Sequence, residues 1–307
     1  MLTGYLAAEG LLDQLLAELG PVDAVHDRLV LKSGPPVQAA WAQNTWHDVQ
    51  TIAIESVGDA NNKLRAIQRN WMLYAFHLHR RAALIEAKLP AIRPKPLVFP
   101  NPAPTAPLGS WTLLDESTIL AAARCSSPFP HGEARFVEDR LAPPNRAYLK
   151  LWEALTLAAA MPGGAMPRPG DRCLDLGASP GGWTWVLQQL GAQVIAVDKA
   201  PLDPAIARLP NVEVRQMSAF ALDPAKEPPA DWLCSDVVCY PSRLLGLVRK
   251  WMDAGKARNF VCTLKFQGPT DHDAARAFAA MPGSRLLHLF HNKHELTWIR
   301  LGAPGAQ

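Results

Sequence analysis

Apolar and polar residues follow two regular patterns in the second half of the chain. Short apolar runs such as 172–177 (RCLDLG) and 193–198 (QVIAVD) predict buried strands, whereas apolar residues in 148–160 (YLKLWEALTLAAA) predict a helix. Strands that alternate with helices indicate an α/β fold with a mostly parallel, doubly wound sheet.

Continued to the carboxyl terminus, the pattern predicts a sheet of seven strands. These strands are expected at 172–177, 193–198, 212–216, 231–236, 259–266, 285–291 and 295–301. Further helices are expected at 182–191, 242–255 and 271–281. Only residues 292–294 separate the last two strands, too few for a crossover helix, so these strands should form an antiparallel hairpin at the sheet edge.

The amino-terminal part has a mixed α/β pattern. It predicts a helix near 11–20, strands at 27–33 and 51–56, and one long helix over 59–89. Seven prolines then fall between residues 90 and 107, where neither a helix nor a central strand can continue. The expected domains are an amino-terminal α/β domain over 1–89, a connection over 90–140 and a second domain over 141–307.

Composition narrows the class of protein. Of 307 residues, 49% are apolar and 19% are charged, which is ordinary globular usage and excludes a disordered chain. The chain has no apolar run long enough to span a membrane, and its start lacks the basic region of a secretion signal, so we expect a cytoplasmic protein. Five cysteines without a C-x-x-C pair predict reduced thiols rather than a disulfide framework or a zinc site.

The net charge of +3 says little by itself, but basic residues concentrate between positions 60 and 96. Eight lysines and arginines lie there against Glu86 alone, with Trp71 and Tyr74 among them. Two interpretations stay open: a solvated helix face over a core stripe, or a surface that docks RNA through phosphates and stacked bases.

The strand at 172–177 leads into a glycine-rich turn before a helix, a place where ligands bind in α/β folds. A dinucleotide site would need glycine where Ser179 stands. A hydrolase nucleophile elbow is satisfied by Gly177, Ser179 and Gly181, but Pro180 has no N–H for an oxyanion hole. An S-adenosylmethionine site is favoured by Asp198, whose carboxylate ends the next strand and can accept ribose hydroxyls.

The segment 175–183 (DLGASPGGW) resembles motif I of the FtsJ-type ribose 2′-O-methyltransferases. This resemblance implies a Rossmann-like fold, S-adenosylmethionine as cofactor, RNA as substrate and a Lys-Asp-Lys-Glu tetrad. The residues that match the tetrad are Lys150, Asp236, Lys265 and Glu295. The residues that the resemblance assigns to cofactor binding are Ala147, Gly177, Ser179, Pro180, Gly181, Gly182, Trp183, Asp198, Ser218 and Asp236.

Two further segments resemble the RlmM-like branch of that family. They are 126–132 (SSPFPHG) and 92–99 (IRPKPLVF). Members of this branch methylate a cytidine ribose of large-subunit ribosomal RNA and carry a THUMP-type RNA-binding domain, so the resemblance implies that substrate and a THUMP-like amino-terminal domain. Ser218 stands where the branch has an aspartate near the adenine.

A ribose 2′-hydroxyl is a poor nucleophile at neutral pH, so its methylation calls for a base and strict placement. Lys265 is the candidate base, and Lys150, Asp236 and Glu295 are expected to position it and the hydroxyl. Nearby cations lower the pKa of such a lysine and carboxylates raise it, and the sequence leaves the sign of the sum open. The open alternatives are a catalytically inactive RNA-binding protein that keeps the cofactor pocket and a Ser179 hydrolase. We expect no metal, and a monomer or weak dimer.

Overall fold

The computed structural model describes residues 1–302 and divides into two compact units. The first unit comprises Met1–Leu97 and Ala103–Arg135, and the second comprises Val98–Pro102 and the chain from Phe136 onward. No helix within residues 1–302 is long and apolar enough to cross a membrane. All five cysteines lie in this described part and are free thiols.

The first unit is mixed α/β, as the sequence predicts. In chain order its elements are β1 (Leu2–Ala7), α1 (Leu12–Leu19), β2 (Ala24–His26), β3 (Leu29–Ser33), β4 (Ala42–His47), β5 (Gln50–Ala53), α2 (Val57–Ile67), β6 (Trp71–Leu73), α3 (His79–Glu86), β7 (Gly109–Asp115), β8 (Thr118–Ala122) and β9 (Arg124–Cys125). They form one sheet in the order β2-β3-β1-β4-β9 and another in the order β5-β8-β7-β6. The predicted helix near 11–20 and strand at 27–33 are confirmed as α1 and β3.

The single helix predicted over 59–89 is wrong, because a strand interrupts it. Residues 71–73 pair in parallel with β7, with Trp71 opposite Gly109. The buried Trp71 indole donates to the carbonyl oxygens of Leu64 (2.9 Å) and Gln68 (3.0 Å) and so closes the end of α2. Burial of a tryptophan in a sheet outweighs local helix propensity here.

The proline-rich segment contains neither a helix nor an extended strand, as predicted. Between α3 and β7 the backbone forms one bridge residue at Leu97, whose N–H donates to the Arg135 carbonyl (2.8 Å). Within the second unit, Phe99 stacks on Trp152 with ring centroids 5.0 Å apart. The expected connection over 90–140 contains β7, β8 and β9, which belong to the sheets of the first unit.

The second unit contains one seven-stranded sheet flanked by helices. Its elements are α4 (Tyr148–Ala159), β10 (Arg172–Leu176), α5 (Gly182–Gln189), β11 (Gln193–Asp198), α6 (Pro204–Ala207), β12 (Val212–Gln216), β13 (Ala230–Ser235), α7 (Pro241–Asp253), β14 (Ala257–Lys265), α8 (His272–Ala279), β15 (Ser284–Leu287) and β16 (Glu295–Arg300). The short helix α6 was not predicted.

The strand order is β12-β11-β10-β13-β14-β16-β15. The first five strands are parallel, whereas β16 is antiparallel to both β14 and β15. The predicted mostly parallel sheet with a carboxyl-terminal antiparallel hairpin is therefore confirmed. Its central strands are buried and rich in Leu, Val and Ile, as expected for strands covered by helices on both faces.

Strand β15 is shorter than the predicted 285–291. It ends at Leu287, and residues 288–294 form the connection to β16. The backbone N–H groups of Phe290 and His291 donate to the buried carboxylate of Glu153 on α4 (2.8 and 3.1 Å), so they do not pair with β16. A side chain 137 residues away in the sequence thus ends the strand.

Candidate active site

The order of the sheet defines where a ligand can bind. From β10 the chain continues to β11 and β12 on one side, and later to β13 and β14 on the other. A crevice opens beyond the carboxyl ends of strands at such a point. A cleft of about 450 Å³ lies there and is lined by six of the predicted residues, Gly177, Ser179, Asp198, Ser218, Asp236 and Lys265.

The loop after β10 requires glycine at its first turn. Gly177 has φ +83°, and a Cβ on it would lie 2.5 Å from the backbone Cα of Val237. Any side chain would push the loops after β10 and β13 apart. Gly177 therefore lets both loops meet at the floor of the cleft.

Asp198 ends β11 and fastens this loop. Its carboxylate accepts the backbone N–H of Ser179 (3.0 Å) on one oxygen and that of Ala200 (2.9 Å) on the other. A carboxylate offers about four lone-pair sites, so two remain for hydroxyl donors in the cleft. Asp198 can therefore shape the loop and still bind a ribose.

Asp175 is fully buried beneath the same loop. Its Oδ2 accepts a hydrogen bond from the Thr184 hydroxyl (2.6 Å), whereas Oδ1 has no partner among the described residues. Burial, reinforced by the negative charges of Asp236 and Asp198, raises the pKa of Asp175 to about 7. Near neutral pH this buried carboxyl is therefore only partly ionised.

Lys150 joins two of the other predicted tetrad residues. Its ammonium donates to both oxygens of Asp236 (2.8 and 3.0 Å) and to Glu295 Oε1 (3.1 Å). Burial alone lowers the pKa of Lys150, but the two carboxylates outweigh it, so this pKa is raised and the ammonium stays charged. Lys150 thus connects α4 to the ends of β13 and β16.

Lys265 ends β14 on the other side of Asp236. Its Nζ lies 3.2 Å from Asp236 Oδ2 and donates to the Asp236 carbonyl oxygen (2.5 Å). On the neighbouring antiparallel strand, Glu295 is the register partner of Lys265. The structure therefore brings together all four residues that the sequence singled out from different elements, with Lys265 facing the cleft.

The remaining residues that were predicted to bind the cofactor stabilise the loop after β10. They are Ala147, Pro180, Gly181, Gly182 and Trp183. The Trp183 side chain is buried, and its indole N–H donates to the Ala147 carbonyl (2.9 Å), which joins the start of α5 to the start of α4. Asn145, Lys199 and Arg243 also line the cleft, and the sequence analysis did not single them out for it.

Sequence reasoning also missed Glu153. This carboxylate is 2% exposed and accepts three hydrogen bonds, from the backbone N–H of Phe290, the backbone N–H of His291 and the His291 ring Nδ1 (2.7 Å). Glu153 lies one helical turn after Lys150, and the segment it holds leads into Glu295. The one available signal was a single acidic residue on the mostly apolar helix α4.

The histidines at 288, 291 and 294 do not form a metal site. Within residues 1–302, no group of three or more His, Cys, Asp or Glu side chains is arranged to hold a metal ion. His288 is buried, and its Nε2 lies 2.9 Å from the Lys293 carbonyl. His291 is bound to Glu153 instead.

Comparison with known proteins agrees with this geometry. Residues 144–279 match the family described as FtsJ-like methyltransferase. This part of the chain is therefore similar to an FtsJ-like methyltransferase domain. It contains β10, the loop after it, and three of the four tetrad residues, Lys150, Asp236 and Lys265.

Two curated relatives share the same name. A ribosomal RNA large subunit methyltransferase M from Halorhodospira halophila is 38% identical over 176 residues, which are 55% of this chain and 50% of that protein. The protein of the same name from Xanthomonas oryzae is 34% identical over 226 residues, which are 69% of this chain and 64% of that protein. The chain thus spans half to somewhat under two thirds of these relatives.

Solved structures resemble the chain less closely. A ribosomal RNA methyltransferase from Plasmodium falciparum is 17% identical, with a TM-score of 0.39, over 52% of this chain and 97% of that chain. A likeness this low adds nothing to the sequence matches.

FtsJ-like methyltransferases take their methyl group from S-adenosylmethionine, and the cleft fits that cofactor. Its volume of about 450 Å³ falls within the ~300–1,000 Å³ of typical small-molecule sites. Asp198 also keeps acceptor sites for ribose hydroxyls on the wall of the cleft.

Proposed function

We propose that this protein transfers a methyl group from S-adenosylmethionine to the 2′-hydroxyl of a ribose, at a cytidine of large-subunit ribosomal RNA in the cytoplasm. The observation that carries the proposal is the convergence of Lys150, Asp236, Lys265 and Glu295, with Lys265 and Asp236 on the wall of the cleft. The name of the curated relatives supports ribosomal RNA as the substrate.

When bound, the cofactor supplies an electrophilic methyl group and leaves as the neutral thioether. As the general base, Lys265 Nζ would act as the neutral amine and accept the proton of the 2′-hydroxyl, because an ammonium group has no lone pair to take it. The geometry supports the placement of this amine, because Lys265 lines the cleft and is held there by the Asp236 carboxylate and backbone carbonyl. General-base help of this kind typically contributes about 10²–10⁴-fold in rate.

Lys150 and Glu295 act as positioning residues in this proposal. Lys150 offsets one of the two negative charges of Asp236 and Glu295, and it keeps the Asp236 carboxylate oriented toward Lys265. The cofactor residues divide into two groups. Asp198 binds the ribose of the cofactor and Ser218 lies on the side of the cleft expected for its adenine, whereas Gly177, Pro180, Gly181, Gly182, Trp183 and Ala147 hold the loop in shape.

The first unit is the proposed RNA-docking and THUMP-like part. Exposed cations in its basic stretch can contact phosphates, namely Arg65, Arg69, Arg80, Lys88, Arg93 and Lys95. Trp71 and Tyr74, the aromatic residues of this stretch, are buried and therefore do not offer their rings to RNA bases.

The test is methyl transfer to large-subunit RNA, offered as naked RNA and as ribosomal particles. Wild-type protein should incorporate labelled methyl groups, and the labelled position should resist alkaline cleavage because its 2′-oxygen is blocked. Lys265→Ala should lower the rate about 10²–10⁴-fold while S-adenosylmethionine and RNA still bind. Lys256→Ala is the matched control, since that lysine donates to the Glu227 carbonyl away from the tetrad.

Two outcomes would reject the proposal. Failure of the folded wild-type protein to bind S-adenosylmethionine would exclude a methyltransferase. Binding of cofactor and RNA without any incorporation would favour the catalytically inactive RNA-binding protein.

The hydrolase alternative has no support in the geometry. The Ser179 hydroxyl donates to the Pro201 carbonyl (2.8 Å), so it is not paired with a histidine base, and Pro180 has no N–H to offer an oxyanion. Ser179→Ala should therefore leave methyl transfer within a few-fold of wild type. A complete loss of activity in that variant would revive the alternative.

A further inference from the structure

Two large apolar side chains project into solvent immediately after Asp236. Val238 is 71% exposed and Tyr240 is 65% exposed, whereas Cys239 between them and Pro241 after them are buried. Exposed apolar side chains that lie close together can form an interaction surface. The alternation shows that the buried residues anchor the segment and the exposed ones are presented outward.

The backbone holds Tyr240 in place. It is the residue before α7, and its carbonyl accepts the N–H groups of Arg243 (3.0 Å) and Leu244 (3.2 Å). Pro241 follows as the first residue of the helix, where its fixed φ suits the helical start. The Tyr240 ring therefore projects from the start of a helix, where hydrogen bonds fix the backbone.

The same segment borders the cleft. Val237 and Val238 line it together with Asp236 and Lys265, and Tyr240 follows Asp236 by only four residues. Four residues span at most ~14 Å of chain, so the Tyr240 backbone lies within that distance of Asp236 on the cleft wall. If the ribose of a nucleotide meets Lys265, the base attached to that ribose must lie close by.

The charges around the segment suit RNA. Arg243 and Lys199 both line the cleft. The Arg243 guanidinium lies over the Phe220 ring, 3.9 Å from its centroid. Cations paired with exposed apolar rings are the combination that single-stranded RNA needs, with phosphates on the cations and bases on the rings.

We propose that Tyr240, with Val238 beside it, is the stacking platform for the unpaired base of the nucleotide that is methylated. This inference rests on the proposed function, because it needs an RNA ribose at Lys265. It assigns base recognition to a segment that belongs neither to the tetrad nor to the cofactor loop.

The experiment uses the shortest RNA that the wild-type protein methylates. Stacking of a base on an aromatic ring corresponds to roughly 5- to 150-fold in binding, so Tyr240→Ala should lower kcat/KM for the RNA by that factor. Tyr240→Phe keeps the ring and should stay within about twofold of wild type, since stacking does not need the hydroxyl. Leu141→Ala, at an apolar side chain of the same unit that is 96% exposed, is the control for loss of exposed apolar surface.

A second arm removes the base instead of the ring. An RNA that is abasic at the methylated position keeps its 2′-hydroxyl, and on this RNA Tyr240→Ala should cause no further loss. The proposal is overturned if Tyr240→Ala and the abasic site lower kcat/KM by independent, multiplicative factors. It is also overturned if Tyr240→Ala loses its effect only when a neighbouring position, and not the methylated one, is abasic. Unchanged binding of S-adenosylmethionine by Tyr240→Ala shows that the variant is folded. If wild-type protein methylates no RNA, the proposed function has failed rather than this inference.

Discussion

Lys265 and Glu295 lie directly opposite each other on the antiparallel strands β14 and β16, and from other elements Asp236 contacts Lys265 and Lys150 contacts Glu295. Sheet register therefore fixes the spacing of two tetrad residues. The other two come from the helix α4 and from the residue after β13. The arrangement depends on the hairpin that returns β16 beside β14.

Lys150 and Glu295 should act as one unit. Glu295→Gln removes one of the two carboxylates that hold Lys150, so Lys150 can turn wholly to Asp236 and compete there with Lys265. We expect methyl transfer to fall and binding of S-adenosylmethionine to stay unchanged. In a double-mutant cycle, Lys150→Met with Glu295→Gln should lose little more than the worse single variant. Additive losses would show that the two residues work separately.

Asp198→Ala should weaken S-adenosylmethionine binding by about 10- to 100-fold, because hydrogen bonds to a charged group contribute about 1.5–3 kcal/mol. Isothermal titration measures this directly. The matched control is Asp203→Asn, at the residue that caps α6 five positions later and accepts the Ala205 N–H. Equal binding by wild type and Asp198→Ala would remove Asp198 from the cofactor site.

Glu153→Gln should both destabilise the protein and slow methyl transfer. The backbone N–H groups of Phe290 and His291 now donate to the Glu153 carboxylate. In the variant, the amide NH₂ would face one of these donors without accepting from it, which would lower the free energy of unfolding by about 1–3 kcal/mol. Denaturant unfolding gives the first effect. The second should appear as a lower kcat without a change in cofactor affinity, because the segment before Glu295 loses its anchor. Glu213→Gln, at an exposed glutamate, should change neither quantity.

Titration of Asp175 should make the free energy of unfolding depend on pH. Its pKa is about 7 in the folded protein against an ordinary value of 3.8. Between these values the folded protein keeps a proton that the unfolded chain releases, so the contribution of Asp175 to the free energy of unfolding falls as pH rises from about 4 to about 7.

The variant Asp175→Asn tests this assignment. Its free energy of unfolding relative to wild type should improve steadily across that interval and level off above about pH 7. Denaturant titrations at several pH values measure the difference, with the exposed Asp253→Asn as control. A difference that does not vary with pH would contradict a raised pKa at Asp175.

The sequence predicted the second unit far better than the first. Its strands are continuous apolar runs separated by helices, and this pattern depends on local residues alone. The tetrad could be proposed because the family resemblance supplied its four residue types, which match Lys150 on a predicted helix and Asp236, Lys265 and Glu295 at the ends of predicted strands. In contrast, the helix expected over 59–89 fails because Trp71 pairs with residue 109, a contact that no local pattern shows. Glu153 was missed for the same reason, since its partners are 137 and 138 residues away.

The loop after β10 is tied at several points within the chain itself. Besides the Ser179 N–H on Asp198, the Asp203 N–H donates to the Pro180 carbonyl (2.9 Å). The loop that forms this wall of the cleft is therefore already ordered before a ligand binds. Little ordering entropy remains to oppose binding, so affinity at this wall comes from a few well-placed contacts rather than from a large enclosed area.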